Sequence, residues 1–190
     1  MLAVLGAVVV IVAASLVAGG GTGGADSDRV AQLREQEERR VAEQTRELTQ
    51  LAGALYDALI PVLTALPEAL PEKGAGPTPS ADLASWRDVI DAGLAKFGDP
   101  PSGSTTTNMV RNGLHLSVQL LGSSLTAYES ALAAEGDQRQ RLHQLAVELR
   151  TQGVEAWAIA ATQLDVLNSE AGQGHFHLYL NPDAAHHGHD

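Results

Sequence analysis

Apolar positions along this chain follow three rhythms. From Leu2 to Ala18 the residues are uncharged and apolar almost throughout, and a glycine-rich stretch follows. From Ser27 to about Leu70 the spacing is helical: Val41, Leu48, Leu55 and Val62 recur every seven residues, with Leu51, Leu59 and Leu66 in the adjacent seam. At the other end, the stretch HFHLYL alternates, with His175, His177 and Tyr179 on one side and Phe176, Leu178 and Leu180 on the other.

The helical rhythm returns three more times. After the Pro/Gly linker PEKGAGPTPS, Ser80 is placed to cap a helix whose inner face is Leu83, Trp86, Val89, Ile90, Leu94 and Phe97. A third helix carries Val110, Leu114, Leu121, Leu125, Tyr128 and Leu132. A fourth carries Leu142, Leu145, Leu149, Trp157, Ala160, Leu164 and Leu167. The short EGD joint makes the last two antiparallel neighbours, each roughly 45 Å long at ~1.5 Å rise per residue. Within the first helix, Pro61 is expected to kink or break it, and Pro67 with Pro71 to end it.

These patterns predict an all-α protein, an antiparallel four-helix bundle with helices at about 27–70, 81–97, 106–135 and 137–169. Residues 1–25 read as a signal peptide or membrane anchor with a Gly-rich spacer, 26–170 as the bundle, and 171–190 as a short extended His-rich tail. Gly113, Gly122 and Gly153 fall inside helices, each costing about 1 kcal/mol relative to Ala, and close helix approach is a reason to tolerate them.

The N-terminal run sits between a signal-peptide core, usually about 7–15 residues, and a spanning helix of roughly 20. Cleavage near Gly23-Gly24-Ala25 would release the domain; an uncut run, residues 2–18, would tether it to a membrane. No basic residue precedes the run, whereas Arg29, Arg34, Arg39 and Arg40 follow it, which the positive-inside rule associates with a cytoplasmic C-terminal part. With a start upstream of Met1 expected, the domain is read as extracytoplasmic, either secreted or held by a single N-terminal span.

Charge and composition narrow the function. A formal net charge of −11 from 23 acids and 12 bases leaves no basic patch for nucleic acid. With no cysteine, any metal must be held by His, Asp or Glu. GGGTGG lacks the Gly-Lys-Ser/Thr ending of a phosphate loop; neither His115 nor His143 has a Glu three residues before it, as di-iron bundles require; and no Gly-x-Ser-x-Gly elbow is present. His115 and His143 read as boundary or solvated side chains, and Trp86 and Trp157 as core anchors.

Five of the seven histidines crowd the C-terminus: His175, His177, His186, His187 and His189. Two residues apart on an extended chain, His175 and His177 stand on one side about 6.5–7 Å apart at the backbone, within reach of one ion at ~2.0 Å bonds. Imidazole suits Cu, Zn and Ni. The expectation is a non-catalytic, exported or membrane-tethered bundle whose His-rich C-terminus is a candidate site for such an ion. Three alternatives stay open: a plain polar tail, a pH-sensitive segment, and an interaction or sensory module that binds a protein partner or itself through helix 27–66. An enzyme is a weaker fourth reading.

Overall fold

In the computed structural model, which describes residues 23–74, 76–98 and 103–180, the helical repeats become four helices. They are α1 (Gly23–Ala69), α2 (Leu83–Ala95), α3 (Thr105–Ala133) and α4 (Gly136–Glu170). No strand occurs among the described residues. The apolar run at 2–18 lies outside them.

The chain divides into two units after Glu37. In the first, the described part of α1 is charge-dense and exposed from Asp26 onward, with Val30 at 48% and Leu33 at 58% exposure. The second, from Glu38, is the antiparallel bundle. Its core joins Leu48, Leu55, Leu59, Val62 and Leu66 of α1, Trp86 and Ile90 of α2, Val110, Leu114, Leu121, Leu125 and Tyr128 of α3, and Trp157 and Leu164 of α4.

Pro61 and Pro67 do not break α1, contrary to the expectation from sequence; the helix runs through both and stops at Ala69, before Pro71. Both prolines lie on the exposed face, where water can serve the carbonyls they leave without a donor. Val62, Leu63 and Leu66 hold the inner face in the core. By length and composition α1 is the one described helix able to cross a membrane. Its apolar residues Leu48, Ala52, Leu55, Leu59, Val62 and Leu63 are core positions of the bundle, which accounts for them without a bilayer.

Small residues draw α3 and α4 together. A methyl group on Gly113 would stand 2.9 Å from Ala160 Cβ, and one on Gly153 would stand 2.9 Å from Leu121 Cδ2. At this separation buried hydroxyls cross the interface: Ser117 Oγ donates to Gly153 O and Ser124 Oγ to Ala146 O, both at 2.7 Å. Gly122 makes the same allowance on the other side of α3, where its missing Cβ leaves room for Ile90 of α2.

The first half of α4 departs from its sequence pattern. Leu145 is exposed and Leu142 and Leu149 only partly covered, while His143, Ala146 and Arg150 are buried. The reason is the linker at 71–80, which lacks helical partners for its carbonyls and takes them from side chains. Arg150 donates to Leu70 O at 2.8 Å, His143 Nε2 to Pro71 O at 2.7 Å and Arg139 to Pro77 O at 2.8 Å, while the Tyr128 hydroxyl donates to Thr78 O. Burial pushes the Tyr128 phenol above its ordinary range, against a smaller opposing effect of the Ser80 backbone, so it stays a neutral donor. His143 is thus a loop anchor, not the boundary or solvated residue its position in the sequence implies.

Two glycines of α1 and α3 should respond oppositely to alanine. At Gly113 the new methyl meets Ala160 directly, so G113A should destabilise the bundle by about 1–2 kcal/mol despite its better helix propensity. At Gly53 the nearest side-chain atom lies at an ordinary 3.8 Å, so G53A should stabilise by about 0.5–1 kcal/mol. Denaturant melts of both variants measure the difference.

Candidate metal centre at the C-terminal strap

Helix α4 ends in a reversal that aims the rest of the chain back along it. Gln173 N–H donates to Asn168 O at 2.8 Å, and Gly172 and Gly174 adopt left-handed backbone, φ 68° and 83°, which an L side chain rarely accepts. Gln173 Nε2 then donates to Ala42 O of α1 at 2.7 Å, and Asn168 Nδ2 reaches Thr49 Oγ1 at 2.9 Å. Residues 175–180 follow as an extended strap.

The alternation read from the sequence is what docks it. Leu180 is buried and Phe176 and Leu178 are partly buried against the core, with Phe176 lying over Gly53 of α1. Trp157, itself buried, donates its indole N–H to Leu178 O at 2.7 Å. The opposite face presents His175, His177 and Tyr179 to solvent. Their rings form a column: His175 and His177 lie 5.8 Å apart at 8°, and His177 and Tyr179 6.3 Å apart at 10°.

Asp165 of α4 joins this face to the helix. Its Oδ1 accepts the Phe176 backbone N–H at 2.6 Å, and its Oδ2 lies 3.2 Å from His175 Nδ1. The amide hydrogen bond, more than the neighbouring imidazoles, holds the Asp165 carboxyl below its ordinary value. One potential ligand atom from each of Asp165, His175 and His177 falls within a sphere where all lie within 4.8 Å of one another. That is looser than the ~3.3 Å between ligands on a tetrahedral zinc with ~2.0 Å bonds, so binding would draw the groups inward. An N/O set of this kind fits a divalent transition ion.

Of the histidines singled out in the sequence, the structure brings His175 and His177 together. His186, His187 and His189 lie outside the described residues. Asp165 was not legible as a partner: it precedes His175 by ten residues, lies in a different element, and sits beside core Leu164 like any acid at the edge of an apolar stripe. His115 is elsewhere, its ring 4.7 Å from that of Phe97, whose face also meets Arg111. A cleft of about 530 Å³ opens between the linker and α4, but Arg139 and His143 on its wall already serve loop carbonyls.

Because the folded-state carboxyl is depressed, the stability Asp165 lends the strap is complete above its ordinary value of 3.8 and lost as pH falls through the lower folded value. In a W86F background, Trp157 emission should therefore change below about pH 3.8, and D165N should abolish that transition. A transition unaltered by D165N would show that the strap's acid response comes from elsewhere. No family model, curated protein or solved structure matches the chain, so its own geometry carries the functional reading.

Proposed function

We propose that this chain is an exported or membrane-tethered, non-catalytic helical bundle whose C-terminal strap binds a divalent transition metal, Cu, Zn or Ni. The observation that carries this reading is the convergence of Asp165, His175 and His177 from two elements onto one exposed face. The strap's packing face accounts for Phe176, Leu178 and Leu180, whereas no packing need accounts for two histidines on its outer side. The absence of cysteine fits an N/O site in an oxidising compartment, where copper is in its divalent state.

Titration decides it. Purified without a metal-affinity column, the full chain should bind one Cu(II) or Zn(II) saturably. H175Q/H177Q should lose that binding, and a chain ending at Pro182 should keep it. Equal, weak binding by all three would end the metal reading; loss on truncation at Pro182 would transfer it to His186, His187 and His189.

The tether in this proposal is the run at residues 2–18, with the bundle outside the cytoplasm. A reporter fused after Asp190 that works only outside the cytoplasm should be active; an inactive one, with a cytoplasmic reporter active in its place, would reverse the orientation. The exposed pair Val30 and Leu33 favours a second reading, an interaction module acting through helix 27–66 on a partner or a second copy. Light scattering separates the two: V30S/L33S should leave metal uptake unchanged in either case and should alter assembly only in the second.

A further inference from the structure

We propose that Asp165 is a positioning residue rather than a ligand: it holds His175 in the Nδ1–H tautomer, turning Nε2 to the ion, and so couples metal binding to docking of the strap. The inference rests on the metal-binding reading above and reassigns one role within it: Asp165, counted there among three candidate ligands, stands behind His175, which leaves His175 and His177 as the ligands from the described residues.

The division follows from where the carboxylate's oxygens are engaged. Oδ1 accepts the Phe176 N–H at 2.6 Å, which fixes the strap to α4. Oδ2 faces His175 Nδ1 at 3.2 Å, and a carboxylate can only accept, so the proton of that contact sits on Nδ1. A neutral imidazole protonated at Nδ1 has its lone pair on Nε2, at the far side of the ring from Asp165. The result is a carboxylate–histidine–metal relay, in which the acid orients the ring without touching the ion.

The second ring must then do the moving. An ion lies in the plane of any imidazole that ligates it, and the stacked rings of His175 and His177 are nearly parallel, at 8°. Two such planes share no nearby point, so one ring has to turn for both to meet one ion. His175 is held by a hydrogen bond to Asp165; among the described residues, no hydrogen bond fixes the His177 ring, which lies between those of His175 and Tyr179. His177 therefore swings and His175 stays. Because Asp165 serves both the strap and the ring, ion binding and strap docking strengthen each other by the same factor.

The test compares the full chain with D165N and with H175Q/H177Q. In D165N the side-chain oxygen still accepts the Phe176 N–H, while the amide group facing His175 now donates to Nδ1 and drives the proton to Nε2. Two-bond ¹H–¹⁵N spectra of the zinc-free protein should show His175 protonated at Nδ1 in the parent and at Nε2 in D165N. Zn(II) affinity should fall by about 10–100-fold in D165N, with one ion still bound at saturation. The same tautomer in both proteins would overturn the proposal, as would loss of binding in D165N as complete as in H175Q/H177Q, which would make Asp165 a ligand. No saturable zinc binding by the parent chain would instead overturn the metal reading itself, and the coupling with it, while the zinc-free spectra would still report whether Asp165 sets the ring.

Discussion

The α3–α4 seam is the constraint on which the rest of the bundle depends. A core poor in aromatic residues offers few bulky groups to fill wide gaps, and this chain closes the gap instead, by removing side-chain volume where two helices meet. Gly113 against Ala160, and Gly153 against Leu121, let the backbones approach until serine hydroxyls reach carbonyls across the interface. Those two bonds also satisfy polar groups that would otherwise cost about 1–3 kcal/mol each when buried. The helix propensity lost at the glycines is offset by contacts that only a close pair can make. With α3 and α4 set as a hairpin, α2 seats Ile90 over Gly122, and α1 covers the remaining face with its leucines.

A hairpin so closely packed leaves the non-helical segments to be held from outside its seam, and both are held alike. The carbonyls of Leu70 and of the linker after it go to Arg150, His143, Arg139 and Tyr128; the strap gives one to Trp157, and Gln173 takes one from α1. Each donor is a large side chain on a helix or at its end; those that hold the linker and the strap reach main-chain oxygens that have no ladder to join, while Gln173 reaches Ala42 O within α1. This is how a protein without described strands or disulfides can keep an extended C-terminal segment in register. The register in turn decides the chemistry, since a shift of one residue would bury the histidines and expose Phe176 and Leu178.

What was legible in the sequence is what periodicity encodes. Helix number and order, the antiparallel α3–α4 pair and the alternation of the strap all follow from spacing, and helix limits agree within a few residues. The misses share a cause. His143 and Arg150 face inward because a loop distant in sequence needs donors there, and Pro61 is tolerated because its side of α1 meets solvent. Asp165 joins the candidate site only because Gly172 and Gly174 reverse the chain and bring Phe176 beside it. In each case a local pattern was overridden by a long-range pairing that residue spacing does not carry. The close approach at Gly113 and Gly153 is the exception, since glycine inside an otherwise regular helix is itself a sign that something lies near.

The site proposed on the strap would separate two requirements that metal sites in bundle interiors combine. Inside a bundle, ligands replace core residues, so each histidine gained for the ion is packing lost to the fold, and removing the ion leaves buried polar groups exposed to the cost of desolvation. Here the extended backbone assigns alternate residues to the two tasks: Phe176, Leu178 and Leu180 anchor, and His175 and His177 face water. A change on that face, such as the turn of His177 proposed above, therefore leaves the core closed. In the proposed site affinity would be the quantity to suffer, because exposed rings must be ordered on binding and the ion would keep contact with water. Asp165 is the one group that spans both tasks. By tying the Phe176 amide and the His175 ring to the same carboxylate, it makes the position of the anchor and the aim of the imidazole a single geometric fact.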